Sequence, residues 1–372
     1  MGSRSHTVGF ALGVMTAVLG AAAPAGAADE VVAPGESIQA AIDDAQPGDT
    51  VRIAPGEFHE NLTITTDDIT LRGGGSGRHG TVLRPSAAST SSPCADAPAS
   101  TVAGICVHGA FPAPTGTPVR DVTIEDLTVD GFSGSGIYAF HAEGYTVAHV
   151  RARSNAGYGI AGFVLAGVQV LESVAIDNGE PGIYVGDSPD AQAVILGNTS
   201  IRNGIGGEGF GFLIRDSSHG QVLDNKATGS CVGFFFVDHG FNPVEPLSDW
   251  TADGNTATRN NAACPKSAEF PATSGTGLLL GGTHAVEVTN NRVFGNRPTI
   301  DSSLSGGIVV ASTTSIGGAE PADNTVSRNL AFHNKPADLV WDKTGHGNKV
   351  TRNVCAVSAP SGMCDRAGVP HP

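Results

Sequence analysis

The sequence has few charged residues and few aromatic residues, and it contains only one long apolar run. Charged residues make up 15% of the 372 residues and aromatic residues 6%. Acidic residues outnumber basic ones, the formal net charge is −15, and lysine is scarce. Simple repulsion therefore argues against nucleic acids and anionic membranes as partners. An acidic polysaccharide would need a local basic patch or a bound cation.

The one apolar run lies at the N-terminus. Arg4 precedes a Gly-rich apolar stretch that starts at Val8, and Ala25-Gly26-Ala27 fits a small-residue cleavage site. The stretch is shorter than the roughly 20 residues that a membrane-spanning helix needs. We therefore expect residues 1–27 to be a secretory signal peptide and residues 28–372 to form a secreted, monomeric, single-domain protein.

Cysteine is also rare, and none of the spacings matches a zinc module. Six cysteines in an exported chain favour disulfides. Proximity along the chain suggests the pairs Cys94–Cys106, Cys231–Cys264 and Cys355–Cys364, although other pairings remain open.

Two short patterns recur along the chain. Glycine followed by apolar residues appears as GIYAF from 136, GIAGF from 159, GIYVG from 182, GFLIR from 211, GFFFV from 233, GLLLG from 277 and GIVVA from 307. Pairs of asparagines lie between them, as NTSIRN from 198, NTATRN from 255, NRVFGN from 291 and NLAFHN from 329. Segments this short, apolar and bounded by Gly and Asn predict strands, and their repetition predicts a β-solenoid. The asparagines suit tight turns and can form hydrogen-bonded ladders from coil to coil.

The start of the expected mature chain predicts a helical cap. Ser37 is an N-cap before IQAAIDDA, and Gly48 follows as a stop signal. A helix here would close the open edge of the solenoid. This stretch, with LRGGG at 71–75 and the repeats, resembles the N-terminal cap and first coil of the pectin-lyase-like superfamily. The resemblance implies an all-β, right-handed parallel β-helix, and it leaves the activity open, because that superfamily includes lyases, hydrolases, esterases, epimerases, adhesins and non-enzymatic modules.

Three further segments interrupt or end the repeat. Residues 86–118 are rich in Ser, Ala and Pro and are expected to form a long loop pinned by the Cys94–Cys106 bridge. Residues 354–372 form a short closing segment. The Gly-rich GGGSGRHG at 73–80 lacks the strand–helix context of a phosphate-binding loop.

Coils stacked in register would place residues at equal offset from each repeat glycine in one column. Offsets one and three are apolar and should face the core, which places Phe234 and Phe236 inside. The outward offsets two and four are also apolar, so either the 86–118 loop covers this face or the face binds a ligand. Candidate substrate contacts on this side are Tyr138, His141, Tyr184 and Phe235.

Offset five places Asp187, Asp216 and Asp238 on three consecutive coils, roughly 5 Å apart. Like charges this close raise one another's pKa values unless something neutralises them. Three interpretations remain open: a glycosidase pair, a Ca²⁺ site for lyase or epimerase chemistry with Arg215 as the base, or aspartates that cap turns. The polygalacturonase motifs Asn-Thr-Asp and Arg-Ile-Lys are missing, whereas FVDHGFNP from 236 resembles the Asp-Pro-His stretch of mannuronan epimerases, without the intervening proline.

Long loops beside this column would form the walls of a cleft. The coil after Asp238 is about twice the usual length, and the loops carry Glu208, His239 and Glu245 towards the column. His239 is a candidate acid or base. We expect a secreted enzyme that cleaves or modifies a polysaccharide. The alternatives are a non-catalytic surface protein that binds a glycan or a partner, and a protein that binds a small apolar ligand on the aromatic face.

Overall fold

The computed structural model describes residues 29–88, 91–94, 101–111, 113, 115–204, 207–240 and 246–365. The expected signal peptide and Glu245 lie outside the described residues, as do parts of the 86–118 loop and the last seven positions of the closing segment.

The fold begins with the predicted cap. Helix α1 spans Ile38–Asp44, and the Ser37 side chain accepts a hydrogen bond from the backbone N–H of Ala40. Ile38, Ala41 and Ile42 are buried on one face of this helix, and Glu60 accepts hydrogen bonds at its N-terminus. The helix therefore closes the first coil with its apolar side.

The described residues form 35 strands, numbered along the chain, in three parallel sheets. Sheet I contains β1 (Asp29–Val32), β2 (Thr50–Ile53), β5 (Thr70–Arg72), β9 (Thr123–Glu125), β12 (Thr146–Ala148), β15 (Gln169–Leu171), β18 (Ala193–Leu196), β21 (Gly220–Leu223), β24 (Trp250–Asp253), β27 (Glu287–Thr289), β30 (Thr325–Ser327) and β33 (Lys349–Thr351).

Sheet II lies next along each coil. It contains β3 (Gly56–His59), β6 (Thr81–Arg84), β10 (Leu127–Asp130), β13 (Arg151–Arg153), β16 (Val174–Ile176), β19 (Thr199–Ile201), β22 (Lys226–Thr228), β25 (Thr256–Thr258), β28 (Arg292–Phe294), β31 (Leu330–Phe332) and β34 (Val354–Cys355).

Sheet III carries the glycine-initiated repeats. It contains β4 (Leu62–Ile64), β7 (Ile105–His108), β11 (Ile137–Glu143), β14 (Ile160–Ala166), β17 (Ile183–Gly186), β20 (Phe210–Arg215), β23 (Val232–Val237), β26 (Thr276–Gly281), β29 (Gly306–Ala311), β32 (Leu339–Trp341) and β35 (Ser358–Ala359), and the short β8 (Val119–Arg120) pairs with β11. A single 3₁₀ turn among the described residues spans Thr314–Ile316.

The predicted register is confirmed. Phe212 pairs with Phe234, and Phe234 pairs with Leu278, so offset one forms a column. These three side chains are 1% exposed, and the rings of Phe212 and Phe234 stack with centroids 4.6 Å apart. The core therefore runs along the solenoid axis, and each coil buries its inner face against its neighbours.

The recurrent asparagines form two ladders at the turns of the coil. One runs from Asn198 through Asn225, Asn255, Asn291 and Asn329 to Asn353, each amide donating to the next side-chain oxygen. The other includes the bonds Asn155–Asn178–Asn203 and Asn260–Asn296–Asn334. Each amide also donates to a backbone carbonyl of the preceding coil, as Asn255 does to Val222. The ladders therefore satisfy buried polar groups where the chain turns.

Three disulfides join the pairs suggested by proximity, Cys94–Cys106, Cys231–Cys264 and Cys355–Cys364. The second ties the long loop after β25 to the start of β23. In the part of the chain that the structure describes, we find no helix with the length and apolarity of a membrane span.

Candidate functional site

The outer face of sheet III is mostly covered. The 86–118 loop covers only its first coils, where Cys94 packs near Tyr138 and the Phe111 ring stacks on Phe140 at 5.0 Å. Further along, Phe270 of the long loop packs on Phe235 and Phe210 at 5.5 and 5.4 Å. The 86–118 loop therefore covers part of this face, and a later coil supplies the cover further along.

The fifth-offset column follows the strands of sheet III, and most of its members have left-handed backbone. The φ angles are 54° at His141, 54° at Val164, 51° at Asp187 and 47° at Asp216. Aspartate tolerates this conformation better than most residues, whereas a β-branched valine is strained in it. The turn geometry therefore gives a local reason for aspartate at two positions of the column.

Asp216 and Asp238 form a buried carboxyl pair. They are 1% and 3% exposed. One oxygen of Asp216, Oδ1, accepts backbone hydrogen bonds from His239 at 2.7 Å and Gly240 at 3.1 Å. This is the bonding expected of a turn cap, so the structure supports that interpretation for Asp216.

The other carboxylate oxygens of this pair explain why the pKa of Asp238 is raised. Oδ2 of Asp216 and Oδ1 of Asp238 are buried and accept no hydrogen bond. Burial, together with the charge of Asp216, raises the pKa of Asp238 to about 6. Arg215 Nε lies 4.0 Å from Oδ2 of Asp216, and a proton on Asp238 relieves the remaining repulsion between the two carboxyl groups.

The chain itself seals the pair. Gly317 and Gly318 lie against the backbone oxygens of His239 and Asp238, so closely that a Cβ on Gly318 would collide with Asp238. The interpretation that Asp216 and Asp238 face a substrate is therefore not supported. Predicted contacts at Tyr184 (1% exposed), Phe235 (3%) and His141 (6%) are covered in the same way.

A row of aromatic rings remains partly open at the N-terminal side of this pair. Tyr138 stacks on Phe163 with centroids 4.9 Å apart, and Phe163 contacts Tyr184 at 4.6 Å. Tyr158 lies 5.0 Å from Tyr184 and 6.0 Å from Phe163. Tyr138, Phe163 and Tyr158 are half-buried. Gly186 permits this packing, because a Cβ there would overlap the Tyr184 hydroxyl.

A charged cluster lies beside the aromatic row. The Arg215 guanidinium lies 5.5 Å from the centre of the Tyr184 ring and 2.7 Å from the Glu269 carboxylate. Burial lowers the pKa of Arg215, but the charges of Tyr184, Asp187 and Glu269 outweigh it and raise the pKa above its usual value. Arg215 therefore stays cationic, which argues against the hypothesis that it acts as the base.

Asp187 is the member of the predicted trio that remains partly exposed. Burial raises its pKa, opposed by the charge of Arg215 and reinforced by the charges of Asp216 and Glu269. Its Oδ1 is buried and accepts no hydrogen bond in the described structure. An unpaired carboxylate oxygen of raised pKa, next to a fixed cation, suits acid–base chemistry.

Two of the predicted loop residues reach this cluster. Burial raises the pKa of Glu208, whose carboxylate accepts a hydrogen bond from Ser267 at 3.0 Å. His239 packs on Phe270 at 5.4 Å, and its Nε2 lies 3.2 Å from the backbone oxygen of Glu269. The long loops therefore bring Glu208 and His239 to the column, as expected.

Glu269 and Tyr158 were not predicted from the sequence. Glu269 lies in the long coil that was expected to form a cleft wall. The length of that coil is the one sequence feature that points to Glu269 as a site residue. Tyr158 immediately precedes a repeat glycine and therefore lies outside the predicted columns, which begin after each glycine.

A cavity lies on the outer face of sheet III, over β23, β26 and β29. It has a volume of about 330 Å³, and its floor is formed by outward residues of three strands, Phe235, Leu279 and Val309. Phe270 and Ile316 close it from above. It is the kind of site that takes a small apolar group.

The Ca²⁺ hypothesis finds no matching geometry in the described part of the chain. Within that part, no group of three or more His, Cys, Asp or Glu side chains is placed to hold a metal ion.

Comparisons with known proteins agree with this fold. The family described as "Right handed beta helix region" matches residues 99–246. No curated protein sequence matches the chain. A mutant of the periplasmic alginate epimerase AlgG is structurally similar with a TM-score of 0.54 at 11% identity, over 87% of this chain and 83% of the epimerase.

Two further solved structures are similar. DFA-IIIase from Arthrobacter chlorophenolicus, without its lid, has a TM-score of 0.51 at 12% identity, covering 86% of this chain and 94% of its own. The Dettilon tailspike protein has a TM-score of 0.50 at 13% identity, covering 89% and 68%. The three parallel sheets show the fold of a right-handed parallel β-helix, and residues 99–246 match the family model for this fold.

Proposed function

We propose that the protein is a secreted enzyme that modifies a polysaccharide containing acidic sugars, by abstracting the proton next to the sugar carboxylate. The observation that carries the proposal is the placement of a cationic Arg215 within electrostatic range of the partly exposed Asp187, beside a row of half-buried aromatic rings. Three disulfides are typical of exported proteins and support secretion.

Each group has a distinct task. The rings of Tyr138, Tyr158 and Phe163 offer apolar faces to sugar rings. The Arg215 guanidinium binds the sugar carboxylate and stabilises the negative charge that develops on it. Asp187 accepts the proton from the adjacent carbon.

Two outcomes follow from this common step. In elimination, the electron pair of the broken C–H bond forms a double bond and the glycosidic C–O bond breaks; Glu208, whose pKa burial raises, is the group assigned to supply the proton to the leaving oxygen. In epimerisation, a proton returns to the opposite face of the same carbon. The similarity to an alginate epimerase is consistent with either outcome, although at 11% identity it concerns the fold.

The test is a screen of acidic and neutral polysaccharides, followed by variants on the identified substrate. Asp187→Asn should lower turnover by at least about 100-fold, because a positioned base contributes that much. Asp190→Asn is the matched control, since Asp190 is an exposed aspartate three residues away that pairs with His219. Full turnover in Asp187→Asn, or activity confined to neutral polymers, would overturn the proposal.

The calcium hypothesis is tested in the same screen. Turnover that survives EDTA argues against it, whereas loss of turnover that only Ca²⁺ restores would show that a cation, rather than Arg215 alone, neutralises the substrate.

The second candidate function is binding of a small apolar ligand, favoured by the 330 Å³ cavity over Phe235, Leu279 and Val309. Val309→Trp would fill this cavity without touching Asp187. Loss of apolar dye binding in Val309→Trp, with polysaccharide turnover retained, would assign the two activities to separate places on sheet III.

A further inference from the structure

A second groove lies on the outer face of sheet II, near the N-terminal end of the solenoid. It has a volume of about 550 Å³ and is lined by Arg78, Arg84, Arg151 and Arg153. The candidate active site lies on sheet III, a different side of the coil. Four arginines in one groove are notable in a chain whose formal net charge is −15.

The coil register brings these arginines together. Arg151 and Arg153 are two residues apart on β13, so they point to the same side of the sheet. Arg151 pairs with Thr128 on β10, and Arg153 pairs with Asp130. Arg84 at the end of β6 completes the row across three adjacent strands.

Part of this row is held in place by ion pairs. Asp130, which is 5% exposed, contacts Arg84 at 2.9 Å and Arg153 at 2.8 Å. Arg84 also contacts Glu57 at 3.0 Å. Within the described ranges, Arg78 and Arg151 have no ion-pair partner, so the groove keeps an excess of positive charge.

The Gly-rich segment 73–80 forms one wall of the groove and carries Arg78. Thr128 donates a hydrogen bond to the backbone oxygen of Ser76 at 3.0 Å, which ties this wall to the floor. Gly80 packs so closely on Gly75 that a Cβ would collide with its backbone. The glycines therefore serve a compact turn that presents Arg78 over the sheet.

We propose that this groove binds the carboxylate groups of an anionic polysaccharide, apart from the candidate active site. A guanidinium group binds a carboxylate through two parallel hydrogen bonds and is weakly hydrated, which suits it to this ligand. Adjacent strands lie roughly 4.8 Å apart and β10 lies between β6 and β13, so the arginines of these two strands spread the positive charge along the groove rather than placing it at a single point. An extended polymer with repeated charges matches such a row. The proposal does not depend on the proposed catalysis.

Binding of hexagalacturonate, a linear uronate oligosaccharide, tests this assignment by calorimetry at low salt. The variant Arg78→Gln/Arg151→Gln should bind at least about tenfold more weakly, because it loses two charge-assisted contacts. The control Arg292→Gln/Arg328→Gln loses the same charge from exposed positions far along the solenoid, and it should bind like the wild type. Hydrogen exchange should show protection by the ligand in residues 73–84, 127–130 and 151–153.

Arg215→Gln separates this groove from the candidate active site. Protection of the groove segments should persist in Arg215→Gln even where turnover is lost. Unchanged affinity in the Arg78/Arg151 variant would overturn the proposal. So would full displacement of the oligosaccharide by equimolar inorganic sulfate or phosphate, because the groove would then be a site for a free anion.

Discussion

At the scale of single residues, the aspartates of one column lie in two different environments. Asp187 remains partly exposed near Arg215, whereas Asp216 and Asp238 are buried, and Asp216 accepts hydrogen bonds from the turn that follows β23 on the next coil. The same residue type in the same register therefore has a chemical environment that depends on what lies above it.

The buried pair predicts a pH-dependent stability. Because the pKa of Asp238 is raised from 3.8 to about 6, the folded protein binds more protons than the unfolded chain between these values. The stability that the protonated Asp238 contributes is present in full below about pH 4 and is lost as the pH rises through about 6.

Asp238→Asn removes this ionisation and should raise the free energy of unfolding at pH 7 by roughly 1–3 kcal/mol. The gain should vanish at pH 4, where the wild-type carboxyl is protonated. Urea denaturation at both pH values measures the difference. Asp224→Asn, an exposed aspartate in a left-handed turn, is the control and should change little at either pH. An equal effect of Asp238→Asn at pH 4 and pH 7 would contradict the raised pKa of Asp238 as the cause of the stability change.

At the scale of structural elements, the asparagine ladders hold the coils in register. Asn255 accepts from the backbone and side chain of Asn225 and donates to Val222 and Asn291. All four contacts are buried, so losing them leaves polar groups unpaired inside the protein.

Asn255→Asp keeps the shape of the side chain but replaces two used donors with a buried charge. We expect a loss of at least about 3 kcal/mol in the free energy of unfolding. The comparison change Asn290→Asp lies at an exposed left-handed turn, where it replaces a hydrogen bond to Asp253 by a solvent-screened repulsion, and it should cost about 1 kcal/mol or less. Chemical denaturation measures the free energy of unfolding of both variants. Similar losses in the two variants would show that an asparagine of the ladder contributes no more to stability than a surface asparagine.

At the scale of the whole molecule, one cross-link ties the later part of the cover to sheet III. The Cys231–Cys264 bridge spans 33 residues and ties the segment that carries Glu269 and Phe270 to the sheet. The Cys355–Cys364 bridge spans 9 residues at the far end.

Replacing Cys231 and Cys264 by alanine should cost about 3–4 kcal/mol through the entropy of the unfolded chain. It should also raise the binding of an apolar fluorescent dye, because Phe235 and its neighbours lose their cover. The variant Cys355→Ala/Cys364→Ala should cost about 2–3 kcal/mol without raising dye binding. Equal dye binding in the two variants would show that the cover is held by packing alone.

The fold was predictable because it depends on local repetition. A glycine, an inward column and paired asparagines recur at each coil, so the register of Phe212, Phe234 and Leu278 follows from counting. The cap at Ser37 followed from hydrogen-bonding rules that involve only neighbouring residues. The site was predictable in part, since Asp187, Arg215, Glu208 and His239 do lie together.

By itself the sequence determined which residues share a column, because that depends on the period of the chain. Only the tertiary structure decided which members of the column meet solvent, because the covering residues Phe270, Gly317 and Gly318 come from later coils. The tertiary structure alone also decided the charge of Arg215 and the contact between Asp216 and Asp238. Burial and electrostatics depend on distances between segments far apart in sequence, and no local pattern encodes those distances.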